Sequence, residues 1–140
     1  MSRPIRSVPR LVVDAVVLHR GKIVLVRRAF EPGKGELAAP GGFVELGEST
    51  EDAIVREVFE ETGLRVRVER LLGVYGDPHR SPWGHVVAVV YVVRSHGGRL
   101  TPSRESPEIV LVPMRGPYPR LMCDHGRFLS DFRRTARLRT

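Results

Sequence analysis

The chain lacks asparagine and glutamine altogether, and only Lys22 and Lys34 among its 23 basic residues are lysines. Scarcity of thermolabile amides in a chain rich in charged residues is typical of heat-adapted proteins. The sequence therefore predicts a thermophilic protein, although a GC-rich genome would also favour arginine over lysine.

Cysteine is nearly absent as well, since Cys123 is the one thiol in 140 residues. This excludes an intramolecular disulfide, and no cysteine or histidine spacing around Cys123 indicates a zinc site. A chain of this length can bury a sufficient core without such cross-links. We expect one domain spanning residues 1–140.

Long apolar runs are also missing. The run that follows the basic, proline-containing start is interrupted by Asp14 and His19, well short of the roughly 20 apolar residues that a bilayer requires. The sequence shows no secretory signal pattern. These absences predict a cytoplasmic protein without a membrane partner.

The charge of the chain is strongly basic, with a formal net charge of +7 and a pI near 10.7. The arginines are scattered rather than gathered on one element, except near the C-terminus, so a nucleic-acid partner is not favoured. The acidic residues behave differently, because seven of them fall within residues 41–64.

Hydrophobic periodicity predicts a mixed sheet with a helix on either side, an α/β or α+β sandwich. We expect loops at 29–42 and 77–84 and a turn at 95–99. The predicted strands are 10–19, 22–28, 43–45, 64–76, 85–94 and 108–114, and the predicted helices are 49–62 and 118–138.

The first predicted helix has clear boundary signals. Ser49 is the expected N-cap, with Asp52 three residues later, and Gly63 is the expected stop. An apolar stripe should pack on the sheet; it consists of Ile54, Val55, Val58 and Phe59.

Glu57, Glu60 and Glu61 share one face of this helix, although like charges at such spacing repel. One interpretation is a solvated charged face, with Arg56 forming i, i+4 ion pairs. The other is a hard, oxygen-only metal site, completed by Glu48 and backbone carbonyls of the preceding glycine loop. Such donors suit Mg²⁺ or Mn²⁺, which would hold a diphosphate and activate water.

The segment from Gly42 to Leu64 resembles the Nudix box, G-x5-E-x7-R-E-U-x-E-E-x-G-U with U aliphatic. All fixed positions are filled: Gly42, Glu48, Arg56, Glu57, Val58, Glu60, Glu61, Gly63 and Leu64. The resemblance implies an α/β/α sandwich that hydrolyses a nucleoside diphosphate linked to another group.

The resemblance also implies a role for each box residue. Glu57 and Glu61 would be the main metal ligands, with Glu60 a further ligand or a bridge through water. The Gly42 carbonyl would be another ligand. Arg56 would orient the carboxylates, and Glu48 would support the loop or a second metal.

Two further segments, 71–91 and 121–132, are similar to the small ADP-ribose pyrophosphatase branch of the family. Arg80 and Trp83 in the first segment are candidate substrate-binding residues, although Trp83 stands where that branch has arginine and could instead fill the core or a dimer interface. Leu37 stands where an aromatic residue is usual. The implied substrate is ADP-ribose.

The remaining candidates lie at strand ends and in loops. Arg28 and Arg27 could clamp phosphate, and Glu105 or Glu108 could act as general base; each could equally be an ordinary surface charge. Open alternatives for the activity are hydrolysis of an oxidised nucleoside triphosphate, a dinucleotide polyphosphate or an RNA 5′ end, and a non-catalytic nucleotide sensor. The branch often forms homodimers, so a homodimer is also expected.

Overall fold

The structure is a computed structural model that describes residues 8–138, with side chains described for residues 8–136. Within this range no helix combines the length and apolar character needed to cross a membrane. The strands are β1 (Arg10–His19), β2 (Lys22–Arg27), β3 (Leu37–Ala38), β4 (Gly41–Phe43), β5 (Leu64–Tyr75), β6 (Val86–Gly98) and β7 (Glu108–Pro113), and the helices are α1 (Thr50–Thr62) and α2 (His125–Leu138).

The strands form one seven-stranded mixed sheet in the order β3-β2-β1-β6-β5, with β4 paired to β1 and β7 paired to β2. β1 runs parallel to β6 and antiparallel to β2 and β4. The predicted mixed sheet is therefore confirmed. The pairing of β4 with β1 brings Gly41 opposite Asp14, which matters for the site described below.

One helix packs on each face of the sheet, as predicted. Side chains alternate along β1 because successive residues of a strand point to opposite faces. Val13 and Val17 join the core beneath α1, whereas Val16 and Leu18 join the core beneath α2. The two apolar layers make the α/β/α sandwich.

Helix α1 begins and ends as the sequence predicts. The Ser49 side chain accepts a hydrogen bond from the Asp52 backbone N–H, and Gly63 adopts the left-handed conformation with φ of 79°. The predicted stripe is partly wrong: Ile54 and Val58 are fully buried, but Phe59 is 48% exposed. The Arg65 guanidinium of β5 lies over the Phe59 ring, and Phe59 does not enter the core beneath α1.

Four predicted boundaries are wrong. The strand expected at 43–45 covers Gly41–Phe43 instead. A two-residue strand, β3, interrupts the predicted loop at 29–42. The predicted turn at 95–99 lies largely within β6, because Gly98 still pairs with Leu64. The last helix begins at His125 rather than at 118. Cys123 has φ of 50°, which a right-handed helix does not accept, and prolines at 117 and 119 disfavour helical residues before them.

Candidate active site

Arg56 is the centre of the charge network on α1. Its Nε donates to Glu48 Oε2 at 2.7 Å, and its Nη1 donates to Glu57 Oε1 at 2.9 Å and to Glu60 at 3.3 Å. Its Nη2 donates to Glu48 Oε1 and to the Phe43 carbonyl oxygen. The Glu48 bond raises the pKa of Arg56, and the Arg56 bond lowers the pKa of Glu48. One guanidinium thus fixes the carboxylates of helix and loop.

The glycine pair of β4 lies directly against two of these carboxylates. A Cβ atom on Gly42 would lie 2.5 Å from Glu57 Cδ, so only glycine fits there without displacing the carboxylate. The Gly41 N–H donates to Glu61 Oε2 at 3.1 Å. The sheet and the helix therefore meet across a backbone–carboxylate contact.

Burial of these carboxylates changes their protonation. Burial raises the pKa of Glu61 to about 8, and the nearby Glu57 charge adds to this effect. Burial also raises the pKa of Glu57, against the lowering effect of its Arg56 bond. Both carboxyl groups resist ionisation because they are buried and close to each other. A cation bound between them would therefore stabilise their ionised forms.

Within residues 8–138 no three or more His, Cys, Asp or Glu side chains are arranged as a metal cluster. The donor set nevertheless fits a hard cation, because Glu57 lies against Gly42, its charge acts on Glu61, and carboxylates offer only oxygen ligands. Glu60 differs from them, since its side chain is 55% exposed and pairs with Arg56. The metal roles taken from the resemblance stay predictions.

A cavity of about 230 Å³ opens beside this network. One water occupies roughly 30 Å³ in the liquid, so the cavity is large enough for an organic ligand. It is lined by Arg10, Val12, Asp14, Arg28, Pro32, Ala38, Ala39, Gly41, Gly42, Phe43, Arg80, Ser81, Trp83, Val86, Met122, Cys123 and His125.

The predicted substrate-binding residues divide between the cavity and its surroundings. Arg28, Arg80 and Trp83 line the cavity, and Trp83 is 48% exposed, so it does not fill the core. Arg27 lies outside the cavity lining, where its side chain forms an ion pair with Glu108 on β7 and a hydrogen bond with the Gly35 carbonyl oxygen.

Arg80 is held by a buried ion pair with Asp124. Nε donates to Asp124 Oδ2 at 2.9 Å and Nη2 donates to Asp124 Oδ1 at 2.6 Å, and the two side chains are only 5% and 12% exposed. Next to it, His125 Nδ1 accepts a hydrogen bond from the Ala39 N–H, and burial lowers the pKa of His125 to about 4. The start of α2 and the residue before it therefore contact the loop between β5 and β6 and the residue that follows β3.

The two candidate bases lie in different surroundings. Glu105 is exposed, and its charge contributes to the raised pKa of Glu57, which places it near the α1 carboxylates. Its backbone carbonyl oxygen accepts from the Ala29 N–H. Glu108 is engaged with Arg27.

Sequence reasoning missed Asp14 and Arg10 as cavity residues. Asp14 is only 6% exposed, and burial raises its pKa to about 7. A signal was available, since Asp14 is the one charged residue inside the apolar run 11–18. A charge in a buried strand is costly unless it has a partner or a function.

Comparison with known proteins places these features in a family. The family model described as NUDIX domain matches residues 8–118. The chain is 41% identical over 126 residues to an ADP-ribose pyrophosphatase of Methanocaldococcus jannaschii, covering 90% of this chain and 74% of that protein.

Two solved structures are similar in fold. The NUDIX domain of Shewanella oneidensis NrtR, complexed with ADP ribose, has a TM-score of 0.79 at 25% identity, covering 93% of this chain and 90% of that one. A bifunctional NMN adenylyltransferase/ADP ribose pyrophosphatase from Francisella tularensis, complexed with AMP and Mn ion, has a TM-score of 0.77 at 25% identity. This match covers 87% of our chain but only 40% of that protein.

The filled box, the sandwich and the cavity beside the α1 carboxylates agree with these comparisons. The chain belongs to the Nudix family of phosphoanhydride hydrolases.

Proposed function

We propose that this chain is a divalent-metal-dependent ADP-ribose pyrophosphatase, which hydrolyses ADP-ribose to AMP and ribose 5-phosphate. The observation that carries the proposal is the cavity, which joins cationic Arg28 and Arg80 and the aromatic Trp83 to the glycine pair against Glu57 and Glu61. The similarity to the Methanocaldococcus jannaschii ADP-ribose pyrophosphatase supports the choice of substrate.

In this mechanism Glu57, Glu61 and the Gly42 carbonyl would hold Mg²⁺ or Mn²⁺, and Arg56 keeps Glu57 in place. The bound cation supplies charge neutralisation for the diphosphate and a water molecule of lowered pKa. Arg28 and Arg80 line the cavity wall, where their positive charge favours binding of the diphosphate. Trp83 offers a face for the adenine.

The proton of the attacking water goes to a general base, and Glu105 is the better placed of the two candidates. The oxygen of the water bonds to phosphorus, the P–O–P bridge breaks, and AMP and ribose 5-phosphate leave. Glu105 is suited because it lies near Glu57 and has no ion-pair partner among the described residues. Glu108, by contrast, forms an ion pair with Arg27.

The test is a substrate panel with purified protein and Mg²⁺: ADP-ribose, dGTP, 8-oxo-dGTP and diadenosine tetraphosphate, with products separated by chromatography. We expect AMP and ribose 5-phosphate from ADP-ribose and little product from the others. Pyrophosphate release from a triphosphate, with ADP-ribose untouched, would replace the proposed substrate.

Charge removal at the metal ligands should abolish most of the turnover. We expect Glu57→Gln and Glu61→Gln each to lower kcat by about 100-fold or more, which corresponds to about 2.7 kcal/mol. The matched control is Glu51→Gln, since Glu51 is exposed in the first turn of the same helix. Circular dichroism checks that each variant is folded; full activity in both variants would refute the site.

A second candidate is a non-catalytic sensor of ADP-ribose, favoured by the similarity to the NrtR domain complexed with ADP ribose. A sensor would bind ADP-ribose in the same cavity as the proposed hydrolase but would not hydrolyse it. Tight binding of ADP-ribose without any product from the panel would put this function in first place.

A further inference from the structure

Asp14 is a carboxylate in the cavity wall to which no donor among the described residues forms a hydrogen bond. Within residues 8–138 no group donates a hydrogen bond to it and no cation forms an ion pair with it, although the residue is only 6% exposed. No fully enclosed side-chain oxygen in this range lacks a partner, so the Asp14 oxygens meet the cavity that the residue lines.

The cations nearest to Asp14 are committed elsewhere. Arg80 donates to both Asp124 oxygens, and Arg28 Nε donates to the Pro32 carbonyl oxygen at 2.6 Å. A buried carboxylate without hydrogen bonds is costly, and a ligand that brought donors to it would remove that cost. The arrangement therefore indicates a ligand group rich in O–H or N–H donors.

The glycine pair gives the position of that group relative to the diphosphate. A Cβ atom on Gly41 would collide with Asp14 Oδ1, and a Cβ atom on Gly42 would collide with the Glu57 carboxylate. Because successive residues of a strand point to opposite faces, Asp14 and Glu57 flank β4 from its two sides, close enough for their charges to interact. The cavity is lined by Asp14 and by both glycines, so a ligand whose diphosphate reaches β4 beside Glu57 has its next group beside Asp14.

In ADP-ribose the group next to the diphosphate is a ribose on either side, and the adenine lies one sugar further away. A ribose carries two neighbouring hydroxyl groups, and an ionised carboxylate has two oxygens that accept hydrogen bonds. Acidic residues bind ribose hydroxyls in the same way in dinucleotide-binding folds.

We propose that Asp14 accepts hydrogen bonds from the vicinal hydroxyl groups of a substrate ribose and selects for ribose next to the diphosphate. This inference rests on the proposed function, because it takes the ligand to be a ribose attached to a diphosphate. It assigns Asp14 to specificity and gives it no part in the bond cleavage.

The test uses Trp83, which is the only tryptophan of the chain and lines the same cavity. Its fluorescence is followed while the protein in EDTA is titrated with ADP-ribose and with two analogues. One analogue lacks the 2′-hydroxyl of the terminal ribose, and the other lacks that of the adenosine ribose. KM and kcat are measured with Mg²⁺ in parallel.

We expect wild-type protein to bind one of the analogues about 10-fold more weakly than ADP-ribose, as for loss of one hydrogen bond to a charged group. That analogue identifies which ribose Asp14 contacts. Asp14→Asn and Asp14→Ala should each bind ADP-ribose and that analogue with affinities within about 3-fold of each other. In the kinetic assay these substitutions should change KM rather than kcat.

The matched control is Asp131→Asn, which changes the same atoms outside the cavity lining, where Asp131 accepts from the Tyr75 hydroxyl. It should keep the wild-type preference. The wild-type series needs no variant, so equal binding there overturns the inference even if the Asp14 variants do not fold.

Three results would overturn the inference. The first is equal binding of ADP-ribose and both analogues by wild-type protein. The second is an unchanged preference in folded Asp14 variants. The third is weaker Mn²⁺ binding with an unchanged preference, which would make Asp14 a metal ligand. If wild-type protein binds none of the three nucleotides and does not hydrolyse ADP-ribose, the proposed function itself fails.

Discussion

Glu57, Glu60 and Glu61 belong to one helix face but differ sharply in exposure. The Glu60 side chain is 55% exposed and the Glu57 side chain 14%, while Glu61 as a residue is 7% exposed. Since an exposed carboxylate is well solvated and a buried one is not, a cation gains most from Glu57 and Glu61. This supports Glu60 in an outer position, either through water or through Arg56.

The general base can be assigned by charge removal at two residues. We expect Glu105→Gln to lower kcat by about 10²- to 10⁴-fold, as for loss of a general base. Glu108→Gln should leave kcat within a few-fold, because Glu108 already pairs with Arg27. Steady-state rates with saturating Mg²⁺ and ADP-ribose make the measurement.

Equal losses in the two variants, or a Glu105→Gln enzyme with unchanged kcat, would contradict this assignment. Each substitution keeps the shape of the side chain, so the pair of variants is its own control for packing.

At the scale of elements, the loop between β5 and β6 depends on contacts with the segment before α2. Arg80 of the loop is paired with Asp124, and His125 accepts from the Ala39 N–H at the end of β3. Trp83 lies three residues beyond Arg80 in this loop, so the cavity wall depends on contacts between segments far apart in sequence.

We expect Asp124→Asn to destabilise the fold and loosen this loop. It leaves the buried Arg80 without its charge partner, which costs about 3 kcal/mol of unfolding free energy. KM for ADP-ribose should rise about 10-fold while kcat changes little, and Trp83 emission should shift to the red. Urea denaturation, kinetics and fluorescence test the three effects.

The control for that variant is again Asp131→Asn, whose partners Tyr75 and Arg134 lie outside the cavity lining. Unchanged KM and emission in a folded Asp124→Asn protein would show that the ion pair does not hold the loop.

For the whole molecule, buried titratable groups have opposite effects on how the free energy of unfolding depends on pH. Asp14 and Glu61 have pKa values raised to about 7 and about 8, chiefly by burial. Each stabilises the fold below its ordinary pKa near 4, and the effect is lost as pH rises through the folded value. Burial lowers the pKa of His125 to about 4, so its contribution is present above about 6.5 and lost as pH falls toward 4.

Between about pH 4 and pH 6.5 all three groups bind protons differently in the folded and unfolded chains. There the combined effect of the two carboxyl groups on the free energy of unfolding exceeds the opposite effect of the one histidine. We therefore expect the unfolding free energy of metal-free protein to fall from pH 5 to pH 8, by a few kcal/mol on the order given by such pKa shifts. Saturating Mg²⁺ should flatten this slope, because a cation favours the ionised carboxylates. Urea melts at several pH values, with EDTA or Mg²⁺, make the comparison.

Glu61→Gln supplies the control, since it cannot ionise and should show a shallower slope in EDTA. A slope that Mg²⁺ leaves unchanged would contradict a cation site at Glu57 and Glu61.

Much of the α1 region could be predicted from the sequence because its determinants are local. The cap at Ser49, the stop at Gly63 and the shared face of Glu57 and Glu61 all follow from spacing within one helix. Where a boundary depended on long-range pairing or on a backbone conformation, as at Gly98 and Cys123, the prediction was wrong.

The sequence alone indicated the family through the filled motif at 42–64. It also predicted the sandwich and the shared carboxylate face, since helix periodicity and strand alternation are properties of neighbouring residues. Only the tertiary structure decided how the cavity is walled. It placed Asp14 opposite Gly41, joined Arg80 to Asp124 across 44 positions and turned Arg27 toward Glu108. Such contacts depend on sheet register and loop packing, which bring together residues that no local pattern relates.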